Sequence, residues 1–333
     1  MSVIISNLLD KLKPKDVVYS CKYINNSIIF DCKNRIKLCP YSDFGIIKNN
    51  YDGIWFNTDL YNKVKTDCIS DINNNNAPIN CKKCFNYNNN KYNNGQEIKT
   101  LYISNWHHCY LNCKYCEYPK EEDLIKAGHY DIFPTIKQML DNKIINQNTK
   151  VIFECGDPCI HPEFDKILFY FINYEMKNIV INTPAQRYCE SVAEAIAKNI
   201  AQVVITFDSG CPYIYERVKG TNKFDLAMFN IKRYLAFQEP GEKRVILKYN
   251  IINGVNDNQK EILDWFMLSR DIGIRKLALD IDIKWYNQIK DTIPKYLKEL
   301  ITFAKNISDY NNIEIEFGEA AQAIYMSIKK EEK

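Results

Sequence analysis

Between residues 97 and 318 one pattern repeats, and it limits the fold more than anything else in the chain. Short apolar runs stand at 100–104 (TLYIS), 150–154 (KVIFE), 179–183 (IVINT), 203–207 (VVITF), 245–252 (VILKYNII) and 276–282 (KLALDID). Amphipathic stretches lie between them at 134–143, 161–174, 189–199, 222–237 and 257–272. Runs that are apolar throughout and alternate with helices predict parallel strands covered by helices. Six such units can build either an incomplete barrel or an open doubly wound sheet, and both place function at the C-terminal strand ends. A further run at 313–317 (IEIEF) and an amphipathic helix near 318–330 are expected to close or cap the sheet.

Upstream the texture differs. The stretches 71–76 (DINNNN) and 86–95 (NYNNNKYNNG) are rich in Asn and lack apolar periodicity, so turns and loops are expected there. The division that follows is a Cys-rich domain over 1–96, an α/β domain over 97–318 and a C-terminal helix over 319–333. The start, MSVIISNLLDKLKPKD, reads as an amphipathic helix and not a signal peptide. With 44 basic against 41 acidic side chains, no electrostatic case exists for nucleic acid or membrane partners. No run approaches the roughly 18 apolar residues of a spanning helix. A cytoplasmic location is expected.

Thirteen cysteines are many for a chain in a reducing compartment, where grouped thiols act as metal ligands or catalysts. Cys21, Cys32, Cys39, Cys68, Cys81 and Cys84 lie early, and Cys155, Cys159, Cys189 and Cys211 are scattered and read as small buried residues. Cys109, Cys113 and Cys116 form a trio in HHCYLNCKYCEYP, just beyond the first apolar run. Three thiolates can hold three irons of a cubane cluster and leave the fourth iron open. A chance grouping is one alternative. A zinc site completed by His107 or His108 is another, although zinc favours four ligands in paired spacings.

The x3–x2 cysteine spacing after a first strand, with Tyr115 before the last cysteine, resembles the radical SAM superfamily. VIFECGDPCIHPEF at 151–164 is similar to that family's second-strand signature, with Cys155, Gly156, Asp157 and Pro158 in the places of Gly-Gly-Glu-Pro. The resemblance implies a partial (β/α)6 TIM barrel, a [4Fe–4S] cluster on Cys109, Cys113 and Cys116, and S-adenosylmethionine on the open iron. The turn at Cys155–Pro158 would present carbonyls, with the Asp157 charge, to the cofactor's amino group. Tyr115 would place its backbone near the adenine. Asn182 and Thr183 would face the same cavity from the third strand. Asp208 and Ser209 would meet the ribose, unless they only form a turn into the next helix. NIINGVND at 250–257 is similar to a fifth-strand pattern that packs on adenine, here through Ile252 and Gly254, with Asn250 and Asp257 departing from it. Asp257 would instead cap the following helix, and His161 would help to start its own. The implied chemistry is reductive cleavage of S-adenosylmethionine to a 5′-deoxyadenosyl radical, which abstracts hydrogen from a substrate. An external flavodoxin- or ferredoxin-type reductant supplies the electron. No residue is assigned as catalytic.

The early cysteines carry a second resemblance. SIIFDCKNRIKLCPYSDFG, DGIWFNTDLYNKVK and CKKCF look like the auxiliary-cluster domain called SPASM or its shorter relative, twitch, placed before the barrel where the family usually has it after. Asn34 takes the place of a turn Gly. Cys21, Cys39, Cys81 and Cys84 would then hold a second iron–sulfur cluster, while Cys68 has no counterpart. Four cysteines so spaced also suit zinc. Relatives of this kind modify peptides or oxidise sugars and alcohols. The rival to an enzyme is a non-catalytic iron–sulfur or zinc protein that binds a partner.

Overall fold

The computed structural model describes residues 18–33, 35–40, 42–48, 56–82, 84, 90–91, 98–116 and 131–331. The expected N-terminal helix, Asn34, and most of the 86–95 Asn-rich stretch lie outside the described residues. The chain divides into two compact units, one of residues 1–105 with 127–149 and one of residues 106–126 with 150–333. Among the described residues no helix is long and apolar enough to cross a membrane.

In the first unit, β1 (Tyr19–Ser20) leads into α1 (Lys22–Asn26) and a meander of β2 (Ser27–Asp31), β3 (Arg35–Lys37) and β4 (Ile46–Lys48). The Asp31 carboxylate closes the β2–β3 turn by accepting from the backbone of Lys33 and Arg35 and from the Arg35 guanidinium at 2.9 and 2.6 Å. Helix α2 (Thr58–Asn73) starts at Asn57, whose side chain accepts from Leu60 N, and it buries Tyr61, Lys65, Cys68, Ile69 and Ile72. That stripe recurs every three or four residues, as an amphipathic helix requires. The first Asn-rich stretch ends this helix, with Asn75 left-handed at φ +58°. Helix α3 (Ile79–Lys82), β5 (Asn90–Lys91), β6 (Thr100–Ser104) and α4 (Phe133–Asp141) follow. Strand β6, expected to open the α/β domain, pairs in parallel with β2 along all five of its residues. Its partner comes from the Cys-rich segment, so β6 and α4 pack as part of this unit.

The second unit alternates as its sequence predicts: β7 (Lys150–Phe153), α5 (Phe164–Asn173), β8 (Ile179–Thr183), α6 (Glu190–Ala197), β9 (Ala201–Thr206), α7 (Pro212–Lys219), α8 (Phe224–Leu235), β10 (Val245–Ile251), α9 (Gln259–Asp271), β11 (Lys276–Ile281), α10 (Ile283–Ile289), α11 (Lys295–Asn311), β12 (Glu314–Phe317) and α12 (Glu319–Glu331). All neighbours from β7 to β12 are parallel, and their order is sequential. A doubly wound sheet reverses its order at a switch point, whereas a barrel winds one way. The sequential order is that of a partial barrel. Strand β10 is buried along nearly its whole length, and β12, at the edge, is exposed at alternate residues. Helix α7 was not separated from its surroundings by periodicity. Its signals were Pro212 in the first turn and Gly220 beyond the end at φ +68°.

Candidate metal centre

Cys109, Cys113 and Cys116 lie on an irregular segment that leaves β6 and is anchored at two points within the second unit. On one side the Asp157 amide donates to His108 O at 2.8 Å. This approach is possible because Cys155 and Gly156 are both left-handed, at φ +69° and +60°. A Cβ on Gly156 would lie 2.5 Å from His108 O and 2.7 Å from His107 C. On the other side Asn112 N donates to Lys219 O and Lys114 N to Val218 O, both at 3.0 Å. Here Gly220 is the residue without room, since its Cβ would stand 2.9 Å from Asn112 O. A final turn, Cys116 N to Cys113 O, closes the loop.

Cys109 and Cys116 are exposed residues and Cys113 is half-buried. Loss of solvent around its sulfur pushes the Cys109 thiol up to about 12, with Asp157, Cys113 and Cys116 adding to the rise. Desolvation also raises Cys113, which Lys219 partly offsets. A bound cation would work against this rise and favour the thiolates of Cys109 and Cys113. Among the described residues no three His, Cys, Asp or Glu side chains group tightly enough for one ion. Around a single tetrahedral zinc, sulfurs stand about 3.8 Å apart, whereas on a cubane each occupies its own iron and is more widely spread. Cys109, Cys113 and Cys116 are three soft donors on one loop, each within electrostatic reach of the others, and thiolates of this kind can hold a cubane cluster.

The strand ends assign the neighbouring side chains differently from the sequence expectation. Asp157 is not an outward charge. It is completely buried, and its Oδ1 accepts from Thr183 Oγ1 at 2.8 Å and from Cys159 N at 3.2 Å. Burial lifts its carboxyl to about 6. Its work is to tie the Cys155–Pro158 turn to the end of β8. Thr183 therefore points at Asp157, and Asn182 donates to Phe153 O at 3.2 Å. His161 accepts from Glu163 N through Nδ1 at 2.9 Å, which orders the approach to α5, and its ring packs 4.8 Å from Trp106.

Asp208 and Ser209, expected at a ribose, turn inward. Asp208 is fully buried at φ +61°. Its Oδ1 accepts from Asn250 N at 2.6 Å, and its Oδ2 accepts from the Tyr115 hydroxyl at 2.6 Å and from the Lys219 ammonium. Ser209 both donates to Cys211 O and accepts from Cys211 N, forming the turn into α7. The Tyr115 side chain both packs and bonds: its ring borders the apolar cluster of Ile214, Val218 and Ile252, and its hydroxyl is bonded to Asp208 and Lys219. Burial, followed by the Asp208 charge, raises its pKa well above the usual value. Asp257 does not cap α9. Asn258 does, accepting from Glu261 N, while Asp257 accepts from the Tyr296 hydroxyl. Gly254 is left-handed at φ +69°, with open space around it.

Sequence reasoning missed Lys219 and Asn256. Asn256 is fully buried, donates to Asp208 O and Asn250 O at 3.0 Å each, and accepts from Ile252 N at 2.7 Å. A lone Asn in a turn carries no signal for such a role. Lys219 had one, since it stands immediately before a helix-ending Gly.

In the first unit Cys21, Cys39, Cys81 and Cys84 line a single recess together with Tyr23, Phe44 and Ile72. They come from the start of α1, the segment after β3, and α3 with its C-terminal flank. Cys68, without counterpart in sequence, faces inward on α2. Burial pushes it up to about 12, and Asp71 and Asp67, then Cys81 and Cys39, add to the rise. Its signal was its place on the buried stripe of that helix.

Residues 105–266, just under half of the chain, match the Radical SAM superfamily. A probable GTP 3′,8-cyclase of Methanococcus aeolicus is 25% identical over 220 residues, covering 64% of this chain and 68% of that one. A GTP 3′,8-cyclase of Haemophilus influenzae is 25% identical over 175 residues, so the chain spans only 50% of that relative's length. Streptococcus suis SuiB bound to precursor peptide SuiA superposes with a TM-score of 0.51 at 14% identity, over 95% of this chain and 74% of that one. SuiB bound to S-adenosylmethionine superposes with a TM-score of 0.50 at 15% identity, over 84% and 57%. At such identities the likeness to SuiB is one of fold.

Proposed function

Since residues 105–266 are a radical SAM domain, whose family works with a [4Fe–4S] cluster and S-adenosylmethionine, we propose that Cys109, Cys113 and Cys116 are the cluster ligands of a radical enzyme. The observation that carries this reading is the double anchoring of their loop, at His108 to the turn after β7 and at Asn112 and Lys114 to the end of α7. Anchors at two connections hold the loop that carries the three sulfurs at the functional rim of a barrel through the chain's own backbone hydrogen bonds. A loop that merely gripped an ion would draw its order from the ion.

When bound there, the cluster and S-adenosylmethionine supply a 5′-deoxyadenosyl radical able to abstract a hydrogen atom from a peptide, a sugar or an alcohol. The chain's own residues provide position. The backbone of Cys155, Gly156, Asp157 and Pro158 borders the loop and offers polar groups to the cofactor's amino acid end, with Asn182 beside it. The apolar cluster of Ile214, Val218 and Ile252, with the backbone of Tyr115 and Gly254, offers a surface for the adenine. Asp208 and Ser209 act on this site through the backbone they hold. A flavodoxin- or ferredoxin-type protein is the proposed one-electron donor.

A second site belongs to the same reading: Cys21, Cys39, Cys81 and Cys84 as ligands of an auxiliary iron–sulfur cluster. Its support is the convergence of four thiols, from segments up to 63 positions apart, on one recess. For the first site, the protein is reconstituted with iron and sulfide without oxygen, reduced, and assayed for 5′-deoxyadenosine from S-adenosylmethionine. Product that depends on all three of Cys109, Cys113 and Cys116 is expected. A fully loaded protein that makes none, with peptide, sugar and alcohol substrates supplied, sinks the enzyme reading. For the second, replacing those three cysteines by Ala leaves iron and sulfide on the chain, whereas one equivalent of zinc and no sulfide overturns it.

A further inference from the structure

The cysteine loop rests on a buried ion pair. Lys219 is 1% exposed and Asp208 0%, and taking two charges out of water costs several kcal/mol each before their attraction and hydrogen bonds compensate. The partners come from different places: Asp208 just past β9, Lys219 at the end of α7, and the bridging Tyr115 from the loop itself, between two of its cysteines. Lys219 holds the loop at two residues, since its carbonyl accepts from Asn112 N while its ammonium donates to the Tyr115 hydroxyl at 2.9 Å. Asp208 is fixed in turn by Asn250 N and by Asn256, which holds its carbonyl. Cys113 stands between Asn112 and Lys114, whose amides donate to Lys219 O and Val218 O, and two residues before Tyr115, whose hydroxyl is bonded to both charged groups.

We propose that Lys219 is a positioning residue that sets the reduction potential of the metal group on Cys109, Cys113 and Cys116, by holding one positive charge, trimmed by Asp208, against the loop segment that carries Cys113 and Tyr115. The inference rests on the cluster assignment above. Reduction by the external one-electron donor would add one negative charge to the group that these sulfurs hold. A fixed ammonium nearby favours that state and a fixed carboxylate opposes it, and both count for more where water is excluded.

The test is an EPR-monitored redox titration of anaerobically reconstituted wild type, Asp208→Asn, Lys219→Met, the double variant and Lys219→Arg. Iron content and the EPR signal of the reduced wild type come first, and their absence sinks the cluster assignment and not this inference. At a fixed poise the reduced-to-oxidised ratio is expected to rise about tenfold in Asp208→Asn and to fall about tenfold in Lys219→Met, each equal to 59 mV for a one-electron couple. The double variant returns near wild type and Lys219→Arg stays there. Single variants that shift in the same direction, or by less than about twofold, overturn the proposal. If Lys219→Met does not fold, Asp208→Asn decides alone: a rise supports the inference, and an unchanged or lower ratio overturns it.

Discussion

Replacing Gly156 by Ala tests the anchoring of the cysteine loop most directly. The new Cβ would stand 2.5 Å from His108 O and 2.9 Å from His107 O, so the two backbones must separate by about 0.7–1 Å to reach ordinary contact. At φ +60° an L residue also costs roughly 1–2 kcal/mol. Forcing packed backbone apart adds roughly 1–3 kcal/mol, and the Asp157–His108 hydrogen bond at risk contributes about 1 kcal/mol. The sum is about 3–6 kcal/mol, or about 6–24 °C in Tm for a unit of this size. Gly254→Ala is the internal control, because Gly254 has φ +69° and nothing within 4 Å. It carries the conformational cost alone, roughly 1–2 kcal/mol. The assay is thermal unfolding of the metal-free protein, followed by iron per chain after reconstitution. Gly156→Ala should be clearly the less stable of the two and hold less iron. Equal melting points, or full iron loading in Gly156→Ala, would refute the close approach and the anchoring built on it.

Other perturbations test neighbouring parts of the site. Asp157 has its carboxyl raised by burial from 3.8 to about 6, so the folded state keeps a proton that the unfolded chain has already released. Its contribution to stability is full below pH 4, falls as pH rises toward 6 and is flat above, roughly 3 kcal/mol in all. Asp157→Asn should remove that slope from denaturant titrations of the metal-free protein, and an unchanged slope would count against the buried assignment. Asn256→Ala strips partners from Ile252 N, Asp208 O and Asn250 O, which should cost about 2–4 kcal/mol in chemical unfolding. It should also weaken S-adenosylmethionine binding measured by calorimetry, and wild-type values for both would refute its role. Gly220→Ala meets Asn112 O at 2.9 Å at φ +68°. It should speed hydrogen exchange at Asn112 and Lys114, and unchanged exchange would show that the second anchor is not needed.

The strands and helices of the second unit were legible because their signals are local. A run such as IVINT or KLALDI needs only its own apolar residues and its flanking turns to be recognised, and both are strands at nearly the expected residues, although their burial alternates. The cysteine trio was equally plain, since its spacing places three thiols on one loop whatever surrounds it. Polar residues at strand ends were less legible. Asp157, Asp208 and Ser209 have the composition of ligand-facing groups, yet their side chains are spent on the backbone that shapes the site.

From its sequence alone, then, the chain is committed to a mostly parallel α/β architecture and to three thiols beyond its first apolar run, because periodicity and short spacing act within a few residues. Tertiary structure decided what each polar strand-end residue does. Tyr115 meets Asp208 across 93 positions and Lys219 across 104, while Thr183 meets Asp157 across 26. No local rule reaches so far. Only when β7, β8, β9 and β10 lie side by side do their ends share one low-dielectric space, and there a buried charge must find its partner or not be charged at all.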